Sequence, residues 1–402
     1  MPQSRLGLAC HALLALGLML SPRVFALPAA TPAATPPMGW NSWNWFADKV
    51  TDQDVRKAAD LIVTSGMRAA GYVYVNIDDT WEGERDATGV IHPNAKFPDM
   101  KALADYVHSR GLKLGIYSSP GPLTCANFAG SYGHEQQDAA TYAGWGVDYV
   151  KYDLCSFRDV LDKAGITDLD ERDRRIRAAY AKMHEAIVAT GRPMVYSLCQ
   201  YGFDSVWTWG ASVGANLWRT TGDTSTDYDR IVVIALTQIG LGRYAGPGHW
   251  NDPDILEVGN GKLTHDEDQS HMTLWAMLAA PLLAGNNLTR MSDAVRDVLT
   301  NREVIAIDQD PLGSQVRVIR QEGPVLIWSR PLADGSLAFA VFNIGTDRAS
   351  LRGLQRDVLQ AGAPPGAVAR DLWAGRTLKS LRDLDGLTVP SHGVLLLRLK
   401  RP

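Results

Sequence analysis

Gly146-Val-Asp-Tyr-Val-Lys-Tyr-Asp-Leu-Cys155 is an apolar-rich run that ends in Lys151, Asp153 and Cys155. A strand covered on both faces is mostly apolar along its length, because neither side meets water. Polar side chains gathered at its C-terminal tip need a separate cause. One is an ion pair, Lys151 with Asp153, at a solvated strand end. The other is a catalytic mouth, since the parallel strands of a barrel present their C-terminal ends to one face. The flanking chain decides for the mouth.

Working outward, short apolar strand, loop, amphipathic helix and glycine recur from about residue 36, opening with Met38-Gly-Trp-Asn-Ser-Trp43. Thr51-Asp-Gln-Asp54 predicts a helix cap ahead of Val55, Ala58, Ala59 and Ile62 at helical spacing, and Tyr72–Ile77 reads as the next strand. Asp99 starts a helix closed by Gly111, before a strand over Leu112–Tyr117. A helix after Gly133-His-Glu135 leads to the strand at Val147, and one over Arg172–Thr190 leads to Met194–Leu198. Asn216–Arg219 is the sixth strand, helix Arg230–Ile239 precedes a seventh near Tyr244–Gly248, and the capping box Thr264-His-Asp-Glu267 opens a helix before the eighth at Pro281–Ala284. Eight such units fit a (β/α)8 TIM barrel over residues 36–313. After Asp310-Pro-Leu-Gly313 the pattern changes to strand-like runs at Val316–Ile319, Val325–Trp328, Leu337–Phe342 and Val394–Leu399, with no helical period between them. The fold class is therefore α/β, a barrel followed by a small C-terminal antiparallel β-sandwich over 314–402.

Arg5, the apolar run Leu13–Leu20 and Val24-Phe-Ala26 predict a signal peptide over residues 1–26, then a Pro/Ala leader over 27–35, so the mature chain is secreted or periplasmic. No other stretch is long and apolar enough to span a bilayer. A net charge of −4 gives no electrostatic case for nucleic acid or an anionic membrane surface. Removing Cys10 leaves Cys125, Cys155 and Cys199, so at most one internal bridge forms; no Cys-x-x-Cys spacing suggests a structural zinc site. His265 and His271 are six apart, off a shared helix face, and with His249 they read as packing or solvated residues rather than metal ligands.

The strand tips carry Trp43; Asp78 and Asp79; Tyr117; Lys151 and Asp153; Cys199 and Gln200; Arg219 and Asp223; Asp252 and Asp254. A ring of carboxylates with one Lys, one Arg and aromatic walls suits a polyhydroxylated substrate, because carboxylates accept from hydroxyls and indoles cover apolar sugar faces. Twelve Trp against eight Phe is consistent with such walls. Adjacent residues in a strand point oppositely, so one of Asp78 and Asp79 should line the pocket more directly. Asp254 either lines it or caps the turn at Pro253. His134 and Glu135 read as helix-start structure.

Thr35-Pro-Pro-Met-Gly-Trp-Asn-Ser-Trp-Asn44, Asn76-Ile-Asp-Asp79, Gly115-Ile-Tyr117, Gly133-His-Glu135, Lys151-Tyr-Asp153, Trp218-Arg-Thr-Thr-Gly-Asp223 and Trp250-Asn-Asp-Pro-Asp254 follow in that order. Together with Ile307-Asp-Gln-Asp-Pro-Leu-Gly313 they resemble the glycoside hydrolase family 27 α-galactosidases from about Thr35 to the end. The resemblance implies a retaining exo-α-galactosidase with no metal or organic cofactor, acting as a monomer or homodimer on galactosylated oligosaccharides or polysaccharides. It makes Asp153 the nucleophile and Asp223 the acid/base, with the acid kept protonated by burial or by the charge of Asp153. It assigns Asp78, Asp79 and Lys151 to the 4- and 6-hydroxyl side, Trp43 and Tyr117 to the pocket walls, and Arg219 to the 2-hydroxyl region. Gln200, Asp254, Cys125 and Cys155 complete the implied substrate contacts, the two cysteines as a bridge and Cys199 as a free buried thiol. Thr80 and Ala215 stand where animal members have further cysteines, so their extra bridges are missing. Polar Gln200 with bulky Tyr201 suits a 2-hydroxyl better than an acetamido group. The Asp78-Asp79 pair favours galactose over arabinopyranose, and the presence of both carboxylates speaks against a binding protein that has lost catalysis.

Overall fold

The computed structural model describes Met1 and residues 32–401; the signal peptide and leader expected from sequence before residue 32 otherwise lie outside the described residues. Eight parallel strands form one sheet: β1 (Met38–Asn41), β2 (Tyr74–Asn76), β3 (Lys113–Ser118), β4 (Tyr149–Asp153), β5 (Val195–Cys199), β6 (Leu217–Arg219), β7 (Trp250–Asp252) and β8 (Leu282–Ala284). They run in the order β8-β1-β2-β3-β4-β5-β6-β7, and a single parallel bridge, Leu256 to Ala284, links the two ends of the order. Register sets what neighbours at the mouth: Tyr117 pairs with Lys151, Asp153 with Cys199, and Arg219 with Asp252. At the opposite ends Tyr74, Tyr149, Val195, Leu217 and Trp250 form an apolar plug. Ala33 packs against it, and its carbonyl accepts from the Trp250 indole at 2.7 Å.

The helices follow their capping chemistry. Helix α1 (Asp52–Thr64) starts at Thr51 with a full capping box to Asp54 and buries Val55, Ala58, Ala59 and Ile62, as the spacing predicts. Asp99 caps α2 (Met100–Ser109), and α3 (Glu135–Trp145) and α4 (Leu169–Ala189) cover the strands on either side of β4. Between β5 and β6 only short 3₁₀ turns intervene. Helix α5 (Tyr228–Thr237) precedes the seventh strand, which lies at Trp250–Asp252 rather than at 244–248. The reason is local: Gly246-Pro247-Gly248 turns the chain, and Pro247 has no N–H for a ladder. The strand that follows is short and polar because Asn251 is satisfied in the interior, accepting from the Trp218 indole at 2.8 Å.

Helix α6 (His265–Leu278) is buried nearly all round, since the C-terminal sheet covers the side turned away from the barrel. That sheet has six strands: β9 (Arg317–Glu322), β10 (Val325–Pro331), β11 (Leu337–Asn343), β12 (Val368–Asp371), β13 (Arg376–Thr377) and β14 (Val394–Lys400), in the order β9-β10-β11-β14-β12-β13. Strand β11 alternates: Ala338, Ala340 and Phe342 join the large core shared with the barrel, while Phe339 and Val341 face a second core. The second core is closed by Val389 on a two-stranded ribbon (349–350 with 388–389), Leu351 just after its first strand, Leu354 and Val358 on a helix α7 (Leu354–Gln360), and Leu384 at the end of a short 3₁₀ turn (Leu381–Leu384). The expectation of strands alone in this domain is thus corrected. The turn of helix was hidden because only Leu354 and Val358 mark its inner face.

Candidate active site

One cavity of about 680 Å³ opens at the C-terminal ends of the strands and brings together Trp43, Asp78, Asp79, Tyr117, Cys125, Lys151, Asp153, Arg219, Asp223 and Asp254. Asn44, Trp45, Tyr201, Glu257 and Asn260 add to its wall. Lys151 and Asp153, two apart on β4, share the inward face. The lysine's direct partner is Asp78, with Nζ 2.8 Å from Oδ2, an oxygen that also accepts from Asn41 Nδ2 at 2.7 Å. The Lys151–Asp153 contact expected from sequence is therefore a longer-range attraction.

Asp153 is buried. Its Oδ2 accepts from the hydroxyls of Tyr117 at 3.0 Å and Tyr201 at 2.9 Å, while Oδ1 has no hydrogen-bond partner. Burial pushes the carboxyl up from its ordinary range; the charge of Lys151 and the surrounding hydroxyl and thiol donors pull it back down. Both Asp78 and Asp79 reach the cavity, contrary to the strict alternation of a strand. Strand β2 stops at Asn76, the Asp78 N–H donates to Ser42 Oγ at 3.0 Å, and Thr80 has a left-handed φ of 82°, so the pair sits on a turn. Asp79 accepts from the Ala126 N–H at 2.8 Å, and burial raises its carboxyl. Behind it the fully buried Glu82, which the sequence reading did not single out, is raised well above the usual range by desolvation.

Arg219 joins the far wall. Its side chain is 4% exposed; Nη1 meets Asp254 Oδ1 at 2.8 Å and Nη2 meets Asp223 Oδ1 at 2.9 Å. Asp254 lines the cavity and accepts the Thr224 N–H at 2.8 Å, while the turn at Pro253 is capped by Asp252, whose Oδ1 accepts the Asp254 N–H at 2.8 Å. Asp252 lies beneath, raised to about 6 by burial against the pull of Arg219. The Asp223 side chain is 72% exposed and held by its contact with Arg219, so burial, one of the two causes expected to keep the acid protonated, does not act on it.

Gln200 is also corrected: it does not line the cavity. Its Oε1 accepts from the Tyr180 hydroxyl at 2.9 Å on α4, because Tyr201 takes a left-handed φ of 58° and turns the chain so that the tyrosine, not the glutamine, faces inward. Cys125 and Cys155 are bridged, and Cys199 is a buried free thiol. Cys155 stands behind the wall, Sγ 3.1 Å from the Tyr117 hydroxyl. His134 and Glu135 start α3, where Glu135 pairs with Lys182 at 2.6 Å. His249 contacts the Ala215 carbonyl, and His271 stacks on Trp275 at 4.2 Å, both in packing roles. Chemically, the cavity offers several carboxylates, Asp153 and Asp223 among them, with the cationic Lys151 and Arg219 and an indole, a set suited to a small sugar.

Comparison with known proteins agrees with this chemistry. The sequence model described as Alpha galactosidase A matches residues 35–310, and that of the alpha galactosidase C-terminal beta sandwich domain matches residues 322–399. Alpha-galactosidase A of Cellvibrio japonicus (strain Ueda107) is 46% identical over 389 residues, covering 91% of this chain and 92% of its own. The crystal structure of alpha-galactosidase I from Mortierella vinacea superposes with a TM-score of 0.82 at 34% identity, covering 92% of this chain and 98% of that one. The α-galactosidase of Saccharomyces cerevisiae, solved with raffinose, superposes with a TM-score of 0.79 at 29% identity over 92% of this chain and 98% of its own.

Proposed function

The chain belongs to the glycoside hydrolase family 27 α-galactosidases, and we propose that it removes terminal non-reducing α-D-galactose with retention, through a covalent glycosyl-enzyme intermediate on Asp153. The observation that carries this reading is the shared cavity of Asp153 and Asp223 at the C-terminal ends of the strands. In the first step a carboxylate oxygen of Asp153 attacks the anomeric carbon and the bond to the leaving oxygen breaks. That oxygen takes the proton of Asp223. In the second step the Asp223 carboxylate takes a proton from water, whose oxygen attacks the same carbon and frees Asp153.

The other side chains act on the sugar rather than on the bond. Lys151 and Asp78 form a charged pair suited to ring hydroxyls, Asp79 adds an acceptor, and the Trp43 indole covers a C–H face. The yeast relative's structure with raffinose supports galactosylated oligosaccharides as the substrate class. A barrel over 36–313 bearing the site, a sandwich over 314–402, and export after residue 26 complete the reading. A bridge between Cys125 and Cys155 suits an oxidising compartment outside the cytosol.

The test compares p-nitrophenyl α-D-galactoside with the β-L-arabinopyranoside and the N-acetylated sugar, following the first-formed anomer by NMR. Galactose should be released fastest and first as the α-anomer. Asp153→Asn should lose activity by roughly 10⁴-fold or more while still binding galactose, the scale of losing a nucleophile. First-formed β-galactose would overturn retention, and preference for the arabinopyranoside would overturn the substrate.

A further inference from the structure

Resting on the reading of Asp153 as nucleophile, we infer that Tyr201 is a positioning residue for it: the Tyr201 hydroxyl holds Oδ2 and fixes the orientation of the carboxylate. Two contacts and its place in the cavity wall support this. The hydroxyl donates to Asp153 Oδ2 at 2.9 Å, the Arg219 guanidinium lies 5.6 Å from the ring centroid, and the ring lines the cavity. Tyr201 therefore touches both halves of the machinery, the nucleophile directly and Asp223 through Arg219.

The backbone explains why a bulky residue sits in a conformation it disfavours. Tyr201 has φ 58°, and Gly202 after it has φ 80°. The Gly202 N–H donates to the Arg219 carbonyl at 3.0 Å, and a Cβ there would lie 2.1 Å from the Thr220 carbonyl oxygen. The turn after β5 is thus pressed against the end of β6, and strain at an aromatic residue persists because the surroundings over-determine it. A hydroxyl held in this way has one use towards a carboxylate. Burial keeps it protonated, so it only donates.

Two donors on one oxygen stabilise the charged carboxylate before attack, and stabilise it again as it departs in the second step. The groups that face Asp153 are Lys151, Tyr117, Cys199 and Tyr201, with Asp78 and Asp79 around Tyr117 and Arg219, Asp223 and Asp254 beyond Cys199 and Tyr201. Of these, Tyr117 remains as a donor when Tyr201 is changed.

The experiment uses the full chain with Tyr201→Phe, which keeps the aromatic wall without the hydroxyl, and Tyr201→Leu, which removes both. A fluorinated galactosyl fluoride that slows turnover of the intermediate, followed by peptide mass spectrometry, first locates the label. Label away from Asp153 sinks the nucleophile reading itself. With label on Asp153, both variants should lose roughly tenfold or more in kcat/KM, the scale of a hydrogen bond to a charged group. The acidic limb of their kcat/KM profile should move to higher pH, because a donor to the ionised form is gone. An unmoved acidic limb overturns the inference whatever the rate, and a loss confined to KM assigns Tyr201 to sugar binding instead.

Discussion

Arg219 holds two carboxylates with two different nitrogens, Asp254 through Nη1 and Asp223 through Nη2, and only a planar fork of donors does this from one buried position. Arg219→Lys keeps the charge but offers a single ammonium point, so one carboxylate is left without its partner. We expect kcat/KM to fall by roughly 100-fold, with a thermal midpoint lower by a few degrees. Kinetics and calorimetry of the full-length variant check this, and wild-type kinetics would remove Arg219 from the working site. Much of the wall was legible from residue types at strand ends: Trp43, Tyr117, Lys151, Asp153, Arg219 and Asp223 all reach one cavity. Gln200 and the Asp78-Asp79 pair show where such reading stops. Alternation holds only inside a strand, and left-handed backbone at Thr80 and Tyr201 carries no sequence mark when the residue is neither Gly nor Asn.

Helix α6 carries two buried titratable residues with opposite pH behaviour. Asp268 is raised to about 7 by burial, although it accepts the Gly259 N–H. His271 is lowered to about 3 by burial, and its Nε2 accepts from the Glu257 N–H at 3.4 Å. For Asp268 the folded chain holds a proton that the unfolded chain releases, so its contribution is present below about pH 4 and is lost as pH rises towards 7. For His271 the unfolded chain takes a proton that the folded chain refuses, so stability is present above about pH 6.5 and is lost as pH falls towards 3. At about 1.4 kcal/mol for each pH unit, each side chain carries on the order of a few kcal/mol. Between pH 4 and 7 the two largely cancel. Asp268→Asn should leave stability rising with pH across this window, and His271→Phe, which keeps the stack on Trp275, should leave it falling. Urea midpoints at several pH values read both slopes directly; parallel slopes in the two variants would refute the opposition. The helix itself was legible from its capping box, Thr264 to Glu267. Its burial on every side was not, because the covering sheet lies far along the chain.

The barrel and the C-terminal sheet are separate in sequence pattern but share one apolar core. Trp328, Ala338, Ala340, Phe342 and Leu396 from the sheet join Leu274, Met277 and Leu278 of α6 in the same cluster. Polar contacts fasten the same seam: the buried Arg330 donates to the Ala276 carbonyl, the Trp373 indole to Thr273 Oγ1 at 2.9 Å, and His392 meets Glu267 at 2.6 Å. The Arg330 guanidinium adds a second donor to a carbonyl near the end of α6 that also accepts the Ala279 N–H at 3.3 Å. Sequence pattern marked the change of architecture near residue 314, since a switch from helical period to strand-like runs is local. It gave no sign that the junction is an interior, because the two patterns meet only in three dimensions. Two parts that bury one another's core should not unfold in turn. Full-length protein in urea, followed by tryptophan fluorescence and by far-ultraviolet circular dichroism, should give coincident transitions. Residues 32–313 expressed alone should be insoluble, with the outer face of α6 laid open to water. Two separated transitions, or a soluble and active fragment, would show that the seam contributes little to the stability of the barrel.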